Sequence, residues 1–213
     1  MKIGRLARLG GVVALAIAAA LGTVAPASAT TSHAPGTASL AALLAKDGSG
    51  FDRNRNDYDI LDAAVTAVLA TKPSSPVAVL ADGNVALTAF LPTDQAFRRL
   101  AQDLTGHSYR RESQVFSVLA GQLGVATIEN VLLYHVVPGA TITYRQALAA
   151  NGATLTTALP GATLKVRVIG CRRVSLVDAD RNDPNAVVVR KNLNRGNLQI
   201  AHGINRVLRP VDL

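Results

Sequence analysis

The sequence predicts an α+β domain, and three observations carry the prediction. Apolar residues at helical spacing fill the first half of the chain beyond its N-terminal segment. Short β-prone stretches punctuated by Gly and Pro fill the second half, and one or more strands interrupt the helices early. Strands and helices that alternated regularly would instead mark a parallel βαβ fold. No internal repeat is evident, and 213 residues at 49% hydrophobic content suit one domain with a substantial core.

The N-terminal segment stands apart. Lys2, Arg5 and Arg8 precede an apolar run from Val12 to Val24, and Ala27-Ser28-Ala29 supplies the small residues of a cleavage site. This is the pattern of a Sec-type signal peptide over residues 1–29, cut after Ala29, and it predicts a secreted, extracellular protein. Arg5 and Arg8 are not adjacent, so no twin-arginine signal is expected. No transmembrane segment is expected in the mature chain, and the end at Asp212-Leu213 carries no apolar tail. Residues 30–38 are small and polar and read as a flexible leader, followed by the domain at 39–213.

Within the domain, Ser39 to Lys46 predicts a short helix with Leu40, Leu43 and Leu44 on one face. A polar loop, Asp47 to Asp57, leads to a clearer helix from Tyr58 to Thr71, where Ile60, Leu61, Ala64, Val65, Val68 and Leu69 recur at helical spacing. Pro73 and Pro76 stop it. Val77 to Leu80 and Val85 to Leu91 read as strands about an Ala81-Asp82-Gly83-Asn84 turn. Thr93 is placed to cap a helix running to about Leu104. Glu112 to Leu123 and Thr127 to His135 form two further helices, and Pro138-Gly139 closes this half. Strands follow at Thr154 to Thr157, Thr163 to Ile169, Val174 to Val177, Ala186 to Arg190, Leu198 to Ala201 and Ile204 to Leu208.

Charge narrows the functional classes. The chain carries 22 Lys+Arg against 14 Asp+Glu, but removing the three cations of the signal segment leaves 19 against 14, a net +5. The remaining arginines fall in scattered pairs, Arg98-Arg99, Arg110-Arg111 and Arg172-Arg173, with no interleaved aromatic stripe. They read as solvated surface, and nucleic acid is not an expected partner. A single Cys excludes an intramolecular disulfide framework and a Cys-based zinc site.

Three segments carry a family resemblance. Thr88-Ala89-Phe90-Leu91-Pro92-Thr93-Asp94-Gln95-Ala96-Phe97 makes a strand-to-helix corner. Leu132-Leu133-Tyr134-His135-Val136-Val137-Pro138-Gly139 places a Tyr-His pair at a helix end. Gly196 to Pro210 holds His202 in a β-prone run that ends at a Pro. In this order they resemble the boxes of the fasciclin (FAS1) domain, and the resemblance spans roughly Ser39 to Leu213. It implies a wedge-shaped β-sandwich flanked by helices, serving cell adhesion through protein–protein contacts with surface or matrix. It also implies that Tyr134 and His135, which match the family's receptor-contact segment, are candidate partner-binding residues. Asn205 stands where an Asp is usual and Gly203 where an apolar residue is common.

Each candidate has a plainer reading. Tyr134 and His135 also suit a helix end whose His satisfies the last carbonyls. His202 suits a hydrogen-bonded core. The loops Asp52-Arg53-Asn54-Arg55-Asn56-Asp57 and Asp178-Ala179-Asp180-Arg181-Asn182-Asp183 alternate oxygen ligands as calcium loops do. Both lack the turn Gly and the closing Glu, so solvated turns are expected, with no metal and no cofactor. Glu112 and Glu129 are the only glutamates of the chain, and no nucleophile elbow, zinc helix or phosphate loop is present, so no enzyme is expected. Cys171 lies beside Arg172 and Arg173, either as a reactive thiol that links a dimer or as an inert, partly buried strand-end residue. An extracellular anionic polysaccharide or other polyanion is the alternative partner class.

Overall fold

A computed structural model describes residues 34–46 and 50–213. The segment expected to be a signal peptide, residues 1–29, and residues 30–33 of the expected leader lie outside them. The helices form largely where the apolar spacing places them: α1 (Leu40–Leu44), α2 (Asp59–Thr71), α3 (Asp94–Thr105) and α4 (Glu112–Tyr134). Helix α4 joins the two helices expected there, and Gly124, at φ 71° and ψ 162°, breaks it where they would meet. By length and composition α4 could cross a membrane, which was not expected. Its residues Val115, Leu119, Ile128, Val131 and Leu132 nevertheless pack in the interior core.

The strands are β1 (Leu87–Pro92), β2 (Val136–Pro138), β3 (Thr154–Thr156), β4 (Thr163–Ile169), β5 (Arg173–Val177), β6 (Ala186–Leu193) and β7 (Gln199–Ile204). They form one seven-stranded sheet in the order β2-β1-β7-β6-β5-β4-β3, antiparallel except where β1 pairs with β7. The sheet curls: Ala158, just past β3, donates its N–H to Val136 O of β2 at 2.7 Å. Both facing layers of the α+β fold therefore come from one near-closed sheet.

Two cores result. Because side chains alternate along a strand, Leu87, Ala89 and Leu91 of β1 face the helices and join Leu40, Ile60, Val68 and Leu100. Phe90 points the other way, into the curl, beside Leu164, Leu176, Ile204 and Leu208. Both β1 and β7 are buried along their whole length, as covered central strands are.

Several local expectations give way to tertiary structure. Pro76–Ala81 is a 3₁₀ turn rather than a strand. Pro76 starts it, Ser75 Oγ accepts from Val77 N, and Gln199 Nε2 donates to Val79 O and Asp82 O from across the fold. Gly203 lies inside β7 instead of separating two strands, and of the stretch from Ile204 to Leu208 only Ile204 is in a strand, as the last residue of β7. A Cβ on Gly203 would collide with Tyr58 Oη and would come 2.9 Å from Arg190 Cβ. Residues 34–38 are tied down rather than loose: Gly36 N–H donates to Gly196 O and Gly36 O accepts from Leu198 N, at 2.7 and 2.9 Å. Thr93 holds the N-cap position of α3, but its side chain makes no capping bond. One more helix, α5 (Tyr144–Ala149), starts at a Thr143–Gln146 capping box, a local signal that the sequence carries.

Candidate functional site

The Tyr-His pair ends α4, and neither side chain reaches the surface: Tyr134 is 1% exposed and His135 4%. Leu208 N donates to His135 Nε2 at 2.9 Å, so that nitrogen is unprotonated and Nδ1–H donates to Val131 O at 2.7 Å. Burial pulls the imidazole pKa from 6.5 down to about 4, and the ring is neutral at pH 7. His135 O in turn accepts from Phe90 N. One residue thus ties the end of α4 to β1 and to the C-terminal segment. Tyr134 donates its hydroxyl to Thr163 O at 2.9 Å. Burial, aided by the nearby Asp178 carboxylate, pushes its phenol up to about 12. Both side chains satisfy their polar atoms inside the fold, in keeping with the plainer helix-end reading, and neither presents a surface to a partner in this conformation.

His202 is also a core residue. Asn192 N donates to its Nδ1 and its Nε2–H donates to Ile142 O, at 3.2 and 2.9 Å. Its ring lies 6.0 Å from Phe90 and 6.1 Å from Tyr144, and burial lowers its pKa. Asn205, where the family favours Asp, accepts Val187 N at 2.7 Å through Oδ1, an acceptor role that the amide fulfils.

The two acidic loops are not simple solvated turns. In the second, Arg209 donates to Asp180 Oδ2 at 3.2 Å and to Asp103 Oδ2 at 2.6 Å, and Arg206 pairs with Asp183. Guanidinium groups occupy the positions a cation would neutralise. Burial nevertheless raises Asp178 to about 6. The first loop closes on itself through Asn54 N to Asp52 Oδ1 and Asn56 N to Asn54 Oδ1. It then caps two helices reciprocally: Asp57 O accepts Asp94 N of α3, while Asp94 Oδ1 accepts Ile60 N of α2.

That exchange gathers two carboxylate groups that share Asp59, one with Asp52 and Asp57 and one with Asp94 and Glu112, each with spacing compatible with a cation. Charge is handled there in two ways. Arg98 Nη2 donates to buried Glu112 Oε1 at 2.9 Å. Burial and a hydrogen bond shared with Asp57 raise Asp94 to about 9, so it keeps a proton at neutral pH.

Above these carboxylates the fold brings together arginines that are scattered in sequence. Arg53 and Arg55 from the loop and Arg110 and Arg111 at the start of α4 line one cleft of about 820 Å³. Exposed Phe51 forms one wall and lies 5.9 Å from Phe116. The charge pairs were visible in sequence, but their convergence depends on the path of the loop.

Cys171 is exposed, not partly buried in a strand end. It sits at the tip of the β4–β5 hairpin, where Gly170 and Cys171 both take positive φ, the signature of a tight hairpin turn.

Comparison with known proteins agrees with this architecture. A family model described as the fasciclin domain matches residues 62–210. A search of curated proteins returns no match. Among solved structures, a FAS1 domain pair from the insect cell adhesion molecule Fasciclin I is similar at 15% identity and a TM-score of 0.48. The match covers 71% of this chain and 47% of that one, so this chain spans about half its length. With the family model covering most of the folded region, the chain belongs to the fasciclin domain family, a family linked to cell adhesion.

Proposed function

We propose that this protein is a secreted, non-enzymatic adhesion module that acts at a cell surface or matrix through protein contacts. The observation that carries the reading is the fasciclin match over residues 62–210, since fasciclin domains are generally adhesion modules without catalysis. The engagement of both ring nitrogens of His135 and of His202 by backbone groups supports it, because neither imidazole is open to shuttle protons.

Adhesion is tested with beads coated in the purified protein and presented to the producing cells and to their matrix. Attachment above that of albumin-coated beads, abolished when the surface is treated with protease but not with glycosidases, is the expected result. Attachment no greater than albumin overturns it. Export is tested separately: mass spectrometry of the protein from culture medium is expected to find Thr30 at the N-terminus, and an uncleaved chain contradicts this. The exposed Cys171 thiol is available to link two copies. A dimer on a non-reducing gel that collapses with reductant supports that link, and a monomer in both lanes excludes it.

A further inference from the structure

The geometry points to the cleft between the 51–55 loop and the start of α4 as a binding site for an acidic polysaccharide, one bearing carboxylate or sulfate groups on its sugar rings. Four guanidiniums, Arg53, Arg55, Arg110 and Arg111, are exposed around it. Among the described residues, none of their side chains has an ion-pair partner, whereas Arg98, Arg206 and Arg209 are all paired. Like charges around one cleft repel, and an anion bridging them relieves that repulsion. A guanidinium presents a planar fork of donors that matches a carboxylate or sulfate edge.

The depth of the cleft does not cancel this potential. Glu112 is neutralised by Arg98, Asp94 holds a proton, and Asp52 is the one other acidic residue that lines the cleft, against four exposed arginines. Phe51 decides between classes of polyanion. It is 41% exposed and braced by Phe116, a flat apolar face beside the cations on which a sugar ring can lie. Nucleic acid would call for a series of stacking surfaces, and Phe51 is a single one. A folded protein partner would call for a well-packed apolar centre, and among the residues that line this cleft Phe51 alone is apolar. This site does not depend on the protein-contact reading, and either can fail alone.

The test is calorimetric titration of the whole protein with oligomers of a polyuronate and of dextran sulfate, beside neutral dextran, poly-glutamate and single-stranded DNA. Binding to one or both acidic sugars is expected, and the stronger of the two identifies the anionic group. Affinity falls as salt rises. Arg110→Glu with Arg111→Glu is expected to weaken it by about tenfold or more, about 1.4 kcal/mol. Arg172→Glu with Arg173→Glu, an equal change in net charge on the β4–β5 hairpin, is expected to leave it within about twofold. Phe51→Ala weakens sugar binding and spares any residual poly-glutamate binding. Should the first pair fail to fold by circular dichroism, Arg53→Gln with Arg55→Gln replaces it. Equal losses in the cleft and hairpin variants overturn the site, as does no binding to either sugar. Poly-glutamate or DNA binding as tight as the sugars overturns the ligand class.

Discussion

His135 shows how a residue that resembles a contact point can instead act as a buried link. Both ring nitrogens bond to backbone, and removing the ring orphans Val131 O and Leu208 N–H in the interior. His135→Ala is therefore expected to cost roughly 2–4 kcal/mol, read as a lower denaturant midpoint. Its titration has a defined sign. The folded-state pKa of about 4 lies below the unfolded value near 6.5, so this stabilisation is complete above 6.5 and is lost as pH falls toward 4. Denaturation at stepwise pH should show that loss in the parent chain and not in His135→Gln. Asp94 acts oppositely. Its raised pKa of about 9 makes its contribution full below 3.8 and lost as pH rises through 9. Asp94→Asn retains an acceptor for Ile60 N and cannot ionise, so it should flatten the fall in stability between 3.8 and about 9; an unchanged fall would assign that dependence elsewhere.

At the scale of elements, two glycines are required for different reasons. Gly124 breaks α4 in a backbone region that is essentially glycine's own, so Gly124→Ala should destabilise by about 1–3 kcal/mol while leaving surface contacts alone. Gly203 has ordinary backbone angles but no room for a Cβ beneath Tyr58 and Arg190. Gly203→Ala should therefore be partly rescued by removing the colliding hydroxyl with Tyr58→Phe, a coupling that a double-mutant cycle of thermal melts would measure. The apolar spacing of α2, α3 and α4 was sufficient to place them. The 3₁₀ turn at Pro76–Ala81 was not recoverable in this way. Its short run of apolar residues resembles a strand, and the Gln199 amide that satisfies its carbonyls arrives from the far end of the chain.

For the whole molecule, the Arg209 network joins the C-terminal segment to the 178–183 loop and to α3. Arg209→Met would leave Asp180, buried at 3% exposure, without its cation, and should cost about 3–5 kcal/mol in equilibrium unfolding. A loss below about 1 kcal/mol would mean that the loop relaxes to water instead. The same network explains why the second acidic loop looked like a solvated turn: its neutralising arginines lie outside the loop in sequence.

Sequence by itself determined the α+β class, the principal helices, most of the strands and the fasciclin boxes. These rest on local spacing and on turn chemistry that each segment carries within itself. Tertiary structure alone decided that Tyr134 and His135 are interior and that Cys171 is exposed. It also decided that the sheet curls into one near-closed layer and that separated arginines line one cleft. Burial and charge convergence depend on which distant segments meet, and neighbouring residues do not encode that. The lone Cys is a thiol at a hairpin tip, and four of the scattered arginines line one cleft.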